Sequence, residues 1–188
     1  IKNFKKDIIV GVEPCKNLAI ITRKKNYKTF SEFWNLKLAK KITQFRKADI
    51  IYSANTLSHI KDLKEIFKAI NFSLSENGIL ILEDPSLLQC LKAVAYDQFY
   101  CEHIYVFSAL SLKNILKNFD LEIFYIENIK THGGSNRYYI KKISNTKNKI
   151  NINVKKEIHK EINFGLNKFA TYKKFQKRVN KSKFELLK

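Results

Sequence analysis

Two short segments combine side chains that can move protons with backbone that can approach a ligand. Residues 96–108, YDQFYCEHIYVFS, place Tyr100, Glu102 and His103 within four residues. A carboxylate beside an imidazole is typical of an oriented proton acceptor. Residues 131–139, THGGSNRYY, hold two adjacent glycines, which let a backbone pass close to a ligand. Either segment alone is equally compatible with ordinary loop chemistry, but together they predict a site for acid–base catalysis.

The segments that must position this site alternate between strand and helix patterns. Apolar runs predict strands at 8–12, 27–30, 48–54 and 79–82, and amphipathic spacing predicts helices at 17–25, 36–45 and 63–74. The strand runs are uniformly apolar, which is typical of parallel strands covered on both faces. We therefore predict an open α/β sheet. Ligands bind such sheets at the carboxyl ends of the strands, and these ends carry Glu13, Asn55, Glu83 and Asp84.

The carboxyl-terminal half is expected to finish this sheet and then leave it. A helix is predicted at 110–119, with Ser108 as its cap. Residues 122–129 and 137–143 predict an antiparallel strand pair at the sheet edge, joined through the THGGS loop. The sequence thus predicts one domain over 1–143, a polar linker at 144–150, and a basic helical segment at 151–188 that starts a further domain.

Composition narrows the class of protein. The chain has 188 residues, 45% of them hydrophobic, and a net charge of +19. Lysines are scattered and arginines are scarce, which favours compositional bias over a nucleic-acid-binding surface. The three cysteines form no CxxC pair, which gives no metal site and suits a reducing cytoplasm. No apolar run approaches the roughly 20 residues that span a membrane, so no membrane association is expected.

The amino end suggests an incomplete chain. The sequence contains no methionine and starts at Ile1. We therefore expect an internal piece of a longer protein.

Six segments carry a resemblance to a known family. They are VGVEP (10–14), ADIIYSANTLSHIKDL (48–63), ENGILILEDPSLL (76–88), YDQFYCEHIYVFS (96–108), THGGSNRYYI (131–140) and GLNKFATYKKFQKRV (165–179). The chain resembles the S-adenosylmethionine-dependent sugar C-methyltransferases, which act on nucleotide-linked keto-deoxysugars. The first two segments indicate only a class I methyltransferase. The EH loop (residues 96–108) and the THGGS loop (residues 131–135) are more specific.

The resemblance implies a class I, Rossmann-like sheet followed by a helical connector to a carboxyl-terminal domain. Two family features are missing: the cysteine-rich zinc domain and the glycine-rich loop that holds the methionine end of S-adenosylmethionine. Zinc would therefore belong only to that amino-terminal region, and the isolated chain is expected to bind the cofactor weakly. The family's YHEH reads Tyr100-Cys101-Glu102-His103 here, which removes one possible polar contact.

Four residues are expected on the cofactor side. Glu13, at the end of a strand, would accept the ribose hydroxyls of S-adenosylmethionine, and the alternative is a loop acid that caps the next helix. Asn55 would bind polar atoms of the cofactor. Phe33 and Trp34 are candidates for the walls of the adenine site, with core packing as the alternative.

Four residues are expected to carry the chemistry. His103 is the predicted base, removing the proton next to the sugar ketone so that the enolate attacks the sulfonium methyl group. Glu102 would orient that imidazole or contact the sugar, and Tyr100 would donate a hydrogen bond to the enolate oxygen. His59 is a second acid–base candidate, with a structural role as the alternative.

The THGGS loop is expected on the substrate side, with His132, Gly133, Gly134, Ser135 and Arg137 facing the nucleotide-linked sugar. A guanidinium suits a diphosphate, and the alternative for Arg137 is to pin the strand pair. Two other functions stay open: a class I methyltransferase that methylates oxygen on another small molecule, and a basic nucleic-acid-binding protein without catalysis.

Overall fold

The computed structural model describes residues 9–188. Ile8, which begins the first predicted strand, lies outside them. The strands are β1 (Val10–Val12), β2 (Lys28–Phe30), β3 (Ala48–Ala54), β4 (Leu74–Pro85), β5 (Leu121–Ile129) and β6 (Ser135–Lys142). The helices are α1 (Lys16–Lys24), α2 (Leu36–Ile42), α3 (Leu63–Ser73), α4 (Leu87–Ala93), α5 (Ala109–Lys117), α6 (Ile152–Phe164) and α7 (Phe169–Leu186). Single 3₁₀ turns lie at Leu57–His59, Tyr96–Gln98 and Thr131–Gly133.

The strands form two groups. β1 and β2 make a parallel pair, and the other four make a sheet in the order β3-β4-β6-β5. β3 and β4 are parallel, whereas β6 runs antiparallel to both of its neighbours. The predicted α/β fold and its antiparallel edge pair are confirmed. The four-stranded sheet is mixed, because the chain returns after β5 and inserts β6 beside β4.

The main core lies on one face of the four-stranded sheet. Leu80, Leu82, Tyr138 and Ile140 point into it from β4 and β6, and residues of α3, α5 and α6 cover them. The predicted burial of both faces is wrong for β3, where the side chains of Ile50 and Tyr52 are 52% and 58% exposed. The uniformly apolar run of β3 therefore did not indicate burial.

Local signals set several element boundaries. Ser108 caps α5 as predicted, and its side chain accepts the Ser111 amide in a reciprocal pair. Gly165, at φ 91°, ends α6 and divides the predicted helical tail into two helices. α4 was not predicted. β4 begins five residues before the predicted strand at 79–82 and includes Asn77 and Gly78, and a Cβ on Gly78 would stand 2.6 Å from the Ala48 carbonyl oxygen.

The segment after β6 connects directly to the core. Asn145 is buried, and its side-chain oxygen accepts the amides of Lys147 and Asn148. α6 then packs against the core, and the carboxylate of Glu161 accepts the first two amides of α5 at 2.8 Å each. The division into domains at 144–150 stays a prediction. Within residues 9–188, no helix has the length and apolarity needed to cross a membrane.

Candidate active site

The two histidines predicted to transfer protons lie side by side. His59 ends the 3₁₀ turn after β3, and His103 lies in the EH loop between α4 and α5. Their ring centroids are 4.8 Å apart. A hydrogen bond from the Tyr105 amide to the Ser58 carbonyl, at 3.1 Å, fastens the two loops together. The structure therefore assembles the four predicted catalytic residues from two distant parts of the sequence.

The hydrogen bonds of His103 define its tautomer. Its Nδ1 lies 2.8 Å from the backbone carbonyl oxygen of Gln98. A carbonyl only accepts hydrogen bonds, so Nδ1 carries a proton, and in the neutral imidazole Nε2 then holds the lone pair. That lone pair accepts the hydroxyl of Tyr100 at 2.9 Å. His103 is half-buried, and its basic nitrogen points at a phenol that can change partners.

His59 is held in the same way by a different carbonyl. Its Nδ1 lies 2.9 Å from the backbone oxygen of Glu102, which makes Nδ1 the donor and leaves Nε2 as an available acceptor. The side-chain carboxylate of Glu102 is exposed and has no hydrogen-bond partner among residues 9–188. We predicted that the side chain of Glu102 would orient the His103 ring. The backbone carbonyl of Gln98 orients it instead.

The predicted cofactor residues follow the first three strands. Glu13 lies just beyond β1, and one carboxylate oxygen accepts the Cys15 amide at 2.8 Å, which leaves the other oxygen for a ribose hydroxyl. Asn55 follows β3 at φ 50°; its amide donates to the Glu83 carbonyl and its side chain is exposed. No hydrogen bond or ion pair in the described part of the chain links Glu13 to the histidine pair.

The two aromatic candidates differ in exposure. Phe33 is 75% exposed, so its ring is available to a ligand. Trp34 packs against the main core, which was the alternative that the sequence left open. Its indole N–H is buried without a partner in the described residues. The free carboxylate oxygen of Glu13 and the exposed ring of Phe33 are chemically suited to an adenosine, and their contact with S-adenosylmethionine stays a prediction.

The THGGS loop is fastened to the end of β4. The Gly134 carbonyl accepts the Ser86 amide at 3.1 Å, and a Cβ on Gly134 would stand 2.9 Å from the Gln89 side chain. Ser135 is buried, and its hydroxyl donates to the Thr131 carbonyl. His132 and Gly133 are exposed, and a Cβ on Gly133 would meet only open space. This tip is therefore the part of the loop that a substrate can reach.

Arg137 lies on β6 and not in the loop itself. Its Nε donates to Glu83 on β4 and one terminal nitrogen donates to Glu127 on β5, each at 3.0 Å. The hydrogen bond to Glu83 and the neighbouring Tyr139 hydroxyl raise the pKa of the guanidinium further above its ordinary value, and the charges of Glu83 and Glu127 add to the rise. Arg137 thus pins three strands, which was the alternative reading of the sequence, and its contact with a diphosphate stays a prediction.

The sequence placed one buried acid, Asp84, at the end of a strand but assigned it no role. Asp84 is 1% exposed, and neither of its oxygens has a hydrogen-bond partner among residues 9–188. Burial raises the pKa of this carboxyl to about 7, although the nearby Ser58 hydroxyl and amide lower it in part. The sequence did contain a signal for this burial. Side chains alternate between the two faces of a strand, so Asp84 lies on the same core-facing side of β4 as Leu80 and Leu82. In the described part of the chain, no group of three His, Cys, Asp or Glu side chains is arranged to hold a metal ion.

Sequence comparison agrees with this fold. Residues 2–126 match a family described as a methyltransferase domain. The chain belongs to the S-adenosylmethionine-dependent methyltransferases. Residues 130–188 of the methyltransferase chain match a C-methyltransferase C-terminal domain. The C-methyltransferase NovU of Streptomyces niveus is 27% identical over 128 residues, which are 68% of this chain and 30% of that protein. The matched region thus spans under a third of this relative.

Solved structures confirm the class I fold of the methyltransferase chain. A methyltransferase from Anabaena variabilis has a TM-score of 0.52 at 17% identity, covering 71% of this chain and 67% of that one. One from Clostridium acetobutylicum has a TM-score of 0.52 at 16% identity, with 70% and 74% covered. Magnesium protoporphyrin IX methyltransferase from Synechocystis, with bound SAH, has a TM-score of 0.50 at 14% identity, with 70% and 62% covered. At these identities the likeness concerns the fold alone.

Proposed function

We propose that the protein carrying this chain is a C-methyltransferase that acts on a nucleotide-linked keto-deoxysugar. The observation that carries the proposal is the pair His59 and His103, each held at Nδ1 by a backbone carbonyl. The match to a C-methyltransferase C-terminal domain and the relative NovU support transfer to carbon. The sugar class rests on the resemblance of the EH loop and the THGGS loop.

Transfer to carbon next to a ketone requires a base that works near neutral pH, and an imidazole meets that need. His103 is the proposed base. Its Nε2 now accepts the Tyr100 hydroxyl. If the Tyr100 hydroxyl donates its hydrogen bond to the ketone oxygen of the substrate instead, Nε2 of His103 becomes free to accept the C–H proton. One rotation of Tyr100 would therefore supply both the base and the donor to the enolate oxygen.

His59 would complete the proton path. Its Nε2 is an open acceptor, and its ring lies beside that of His103. His59, which is exposed, would thus relay the proton to solvent.

Ligand positions follow from the ends of the strands. Bound S-adenosylmethionine supplies an electrophilic methyl group. Glu13, Trp34 and Asn55 would hold its adenosine end, with the exposed ring of Phe33 as a wall. The tip of the THGGS loop, with His132 and Gly133, would approach the nucleotide-linked sugar from the other side, where backbone amides suit phosphate oxygens.

Deuterium exchange tests the base directly. The protein is incubated with the keto-sugar nucleotide in D₂O, and NMR follows loss of the proton next to the ketone. We expect His103→Gln to slow exchange by about 10²-fold or more, the usual contribution of a general base, while calorimetric binding of S-adenosylmethionine persists. His159→Gln, which alters an exposed histidine on α6, is the matched control. Unchanged exchange in His103→Gln removes His103 as the base, and a methyl ether as product replaces the proposal with O-methylation.

A further inference from the structure

The short helix α4 is fastened at its end by a side chain from α7. The two terminal nitrogens of Arg178 donate to the backbone carbonyls of Leu91 and Lys92, at 2.9 and 2.7 Å. The carbonyl before them, of Cys90, accepts the Ala95 amide. The last carbonyls of a helix have no partner within that helix. Arg178 therefore supplies two donors that the end of α4 needs and cannot supply itself.

A second side chain of α7 reaches both α4 and the EH loop. Leu88 and Leu91 of α4 form a small buried cluster with Leu166, and Phe175 packs against this cluster. The ring of Phe175 also contacts the ring of Phe99 in the EH loop, with 5.7 Å between the two centroids. Phe175 thus joins α7 to the helix before the loop and to the loop itself.

Phe99 shares a peptide group with the carbonyl that orients the proposed base. The Gln98 carbonyl accepts Nδ1 of His103 at 2.8 Å. The amide on the same peptide group belongs to Phe99 and donates to the Tyr96 carbonyl. Because a peptide group is planar and rigid, a displacement of Phe99 also displaces the Gln98 oxygen. The contact between the two phenylalanine rings is therefore close to the group that fixes the His103 ring.

The two contacts of α7 enclose the start of the EH loop. Phe175 and Arg178 are three residues apart, so they lie on the same side of α7. Arg178 holds the chain at Leu91 and Lys92, and Phe175 holds it again at Phe99. These contacts also join two regions that match different families, since the EH loop lies within residues 2–126 and α7 lies within residues 130–188.

We propose that Arg178 and Phe175 are positioning residues, which hold α4 and the Gln98 carbonyl so that His103 keeps one tautomer and one orientation. They act through the EH loop and not on the substrate. The region that matches a C-methyltransferase C-terminal domain would thus help to shape the site for proton removal. The kinetic consequence rests on the proposed function, whereas the effect on the His103 ring does not.

The experiment uses two variants of the protein, each with a control on the same helix. Arg178→Met keeps an apolar stem and removes the donors, and Lys177→Met removes an equal charge from a neighbouring exposed position. Phe175→Leu keeps an apolar side chain and removes the ring contact, and Phe184→Leu makes the same change at a position that is 66% exposed.

Two measurements are made on each variant. Two-dimensional ¹H–¹⁵N spectra of the four histidine side chains, assigned with single His→Gln variants, report the His103 tautomer without any catalysis. Deuterium exchange into the keto-sugar, followed over a range of substrate concentrations, separates kcat from KM.

We expect Arg178→Met and Phe175→Leu to mix the two His103 tautomers and to lower kcat for exchange by about 10-fold or more, since small displacements of a reacting group have effects of this size. KM should stay within about 2-fold, because the tip of the THGGS loop is untouched. Arg178→Lys should recover part of the rate, because it returns a charged donor. Both control variants should keep the single tautomer and the rate of the unaltered protein.

A double variant tests the path through Phe99. Phe99→Leu and Phe175→Leu remove the same ring contact, so the combined variant should lose little more kcat than either single variant. Losses that multiply in the combined variant would overturn this path.

The two measurements keep the proposals apart. If Phe175→Leu does not fold, Arg178→Met carries the test, since Arg178 is exposed and its replacement opens no cavity in the core. A single Nδ1–H tautomer of His103 in every folded variant overturns the positioning role. Absence of exchange in the unaltered protein instead overturns the proposed function, and the tautomer spectra still decide the role of α7.

Discussion

The rings of His59 and His103 stand 4.8 Å apart, and each is fixed by a backbone carbonyl of the EH loop. The two carbonyls belong to Glu102 and Gln98, so one loop determines the tautomer of both rings. In the neutral form, rings held this way carry their lone pairs on Nε2, and that of His103 meets the Tyr100 hydroxyl. This arrangement suits removal of one proton from a carbon acid.

The hydroxyl of Tyr100 is expected to matter for catalysis and little for folding. Tyr100→Phe removes the group that occupies Nε2 of His103 and that would donate to the enolate oxygen. Loss of one such donor typically costs about 10²-fold in rate. Deuterium exchange and thermal unfolding of the variant measure the two effects. Tyr96→Phe, at an exposed position of the same segment, is the control, and equal exchange rates in the two variants would refute a donor role.

Arg137 is expected to contribute to the stability of the sheet. Arg137→Gln leaves the buried carboxylate of Glu83 without its cation, which should lower the free energy of unfolding by about 2 kcal/mol. Arg46→Gln is the matched control, because Arg46 and Asp49 form a pair that is exposed on both sides and should contribute under about 1 kcal/mol. Urea unfolding compares the two variants. An equal decrease in the free energy of unfolding in the two variants would contradict the role of Arg137 in holding the three strands together.

The sequence predicted those parts of the fold that depend on local pattern. The alternation of strands and helices up to β4, the cap at Ser108 and the strand pair around the THGGS loop follow from spacing within a few residues, whereas α4 and the division of the helical tail did not. The insertion of β6 beside β4 could not be predicted this way, because it depends on pairing between distant strands. The same holds for the exposure of Ile50 and Tyr52, which depends on where the helices pack.

The residue types of the site were also predictable, but their partners were not. The sequence indicated the two histidines and Tyr100 because imidazoles and phenols carry recognisable chemistry. The groups that fix both rings are main-chain oxygens, at Gln98 and Glu102, and any residue type can supply a carbonyl. Asp84 was located at the edge of the sheet, but its lack of partners becomes visible only once its burial is known.

Glu161 is expected to hold α6 against α5. Its buried carboxylate accepts the amides of Ala109 and Leu110, which are otherwise unpaired at a helix start. Glu161→Ala should therefore lower the free energy of unfolding by about 2 kcal/mol, the usual cost of stranding buried amides. Glu185→Ala, on the exposed side of α7, should change it by under about 0.5 kcal/mol. Denaturant titrations of both variants measure this free energy. An unchanged free energy of unfolding in Glu161→Ala would contradict the role of Glu161 in holding α6 against α5.

The pH dependence of stability is expected to depend on Asp84. Burial raises the pKa of its carboxyl from 3.8 to about 7 in the folded protein, and Glu83 on the same strand adds to the rise. Ser58 opposes it, and the neutral phenol of Tyr138 on β6 is the other titratable group that senses this acid. Below pH 4 the carboxyl is neutral in both states. Between pH 4 and 7 the unfolded chain ionises first, so this group's contribution to stability falls as pH rises and levels off above pH 7.

Asp84→Asn removes that titration and should remove the loss of stability with it. A pKa rise from 3.8 to about 7 corresponds to about 4 kcal/mol. The variant should therefore gain up to about this much relative to the unaltered protein between pH 4 and pH 8. Urea unfolding at pH 4, 6 and 8 measures the difference, with Asp97→Asn as a control at an exposed carboxylate. Parallel stability curves for Asp84→Asn and the unaltered protein would show that Asp84 is ionised at neutral pH in the folded state, against the raised pKa.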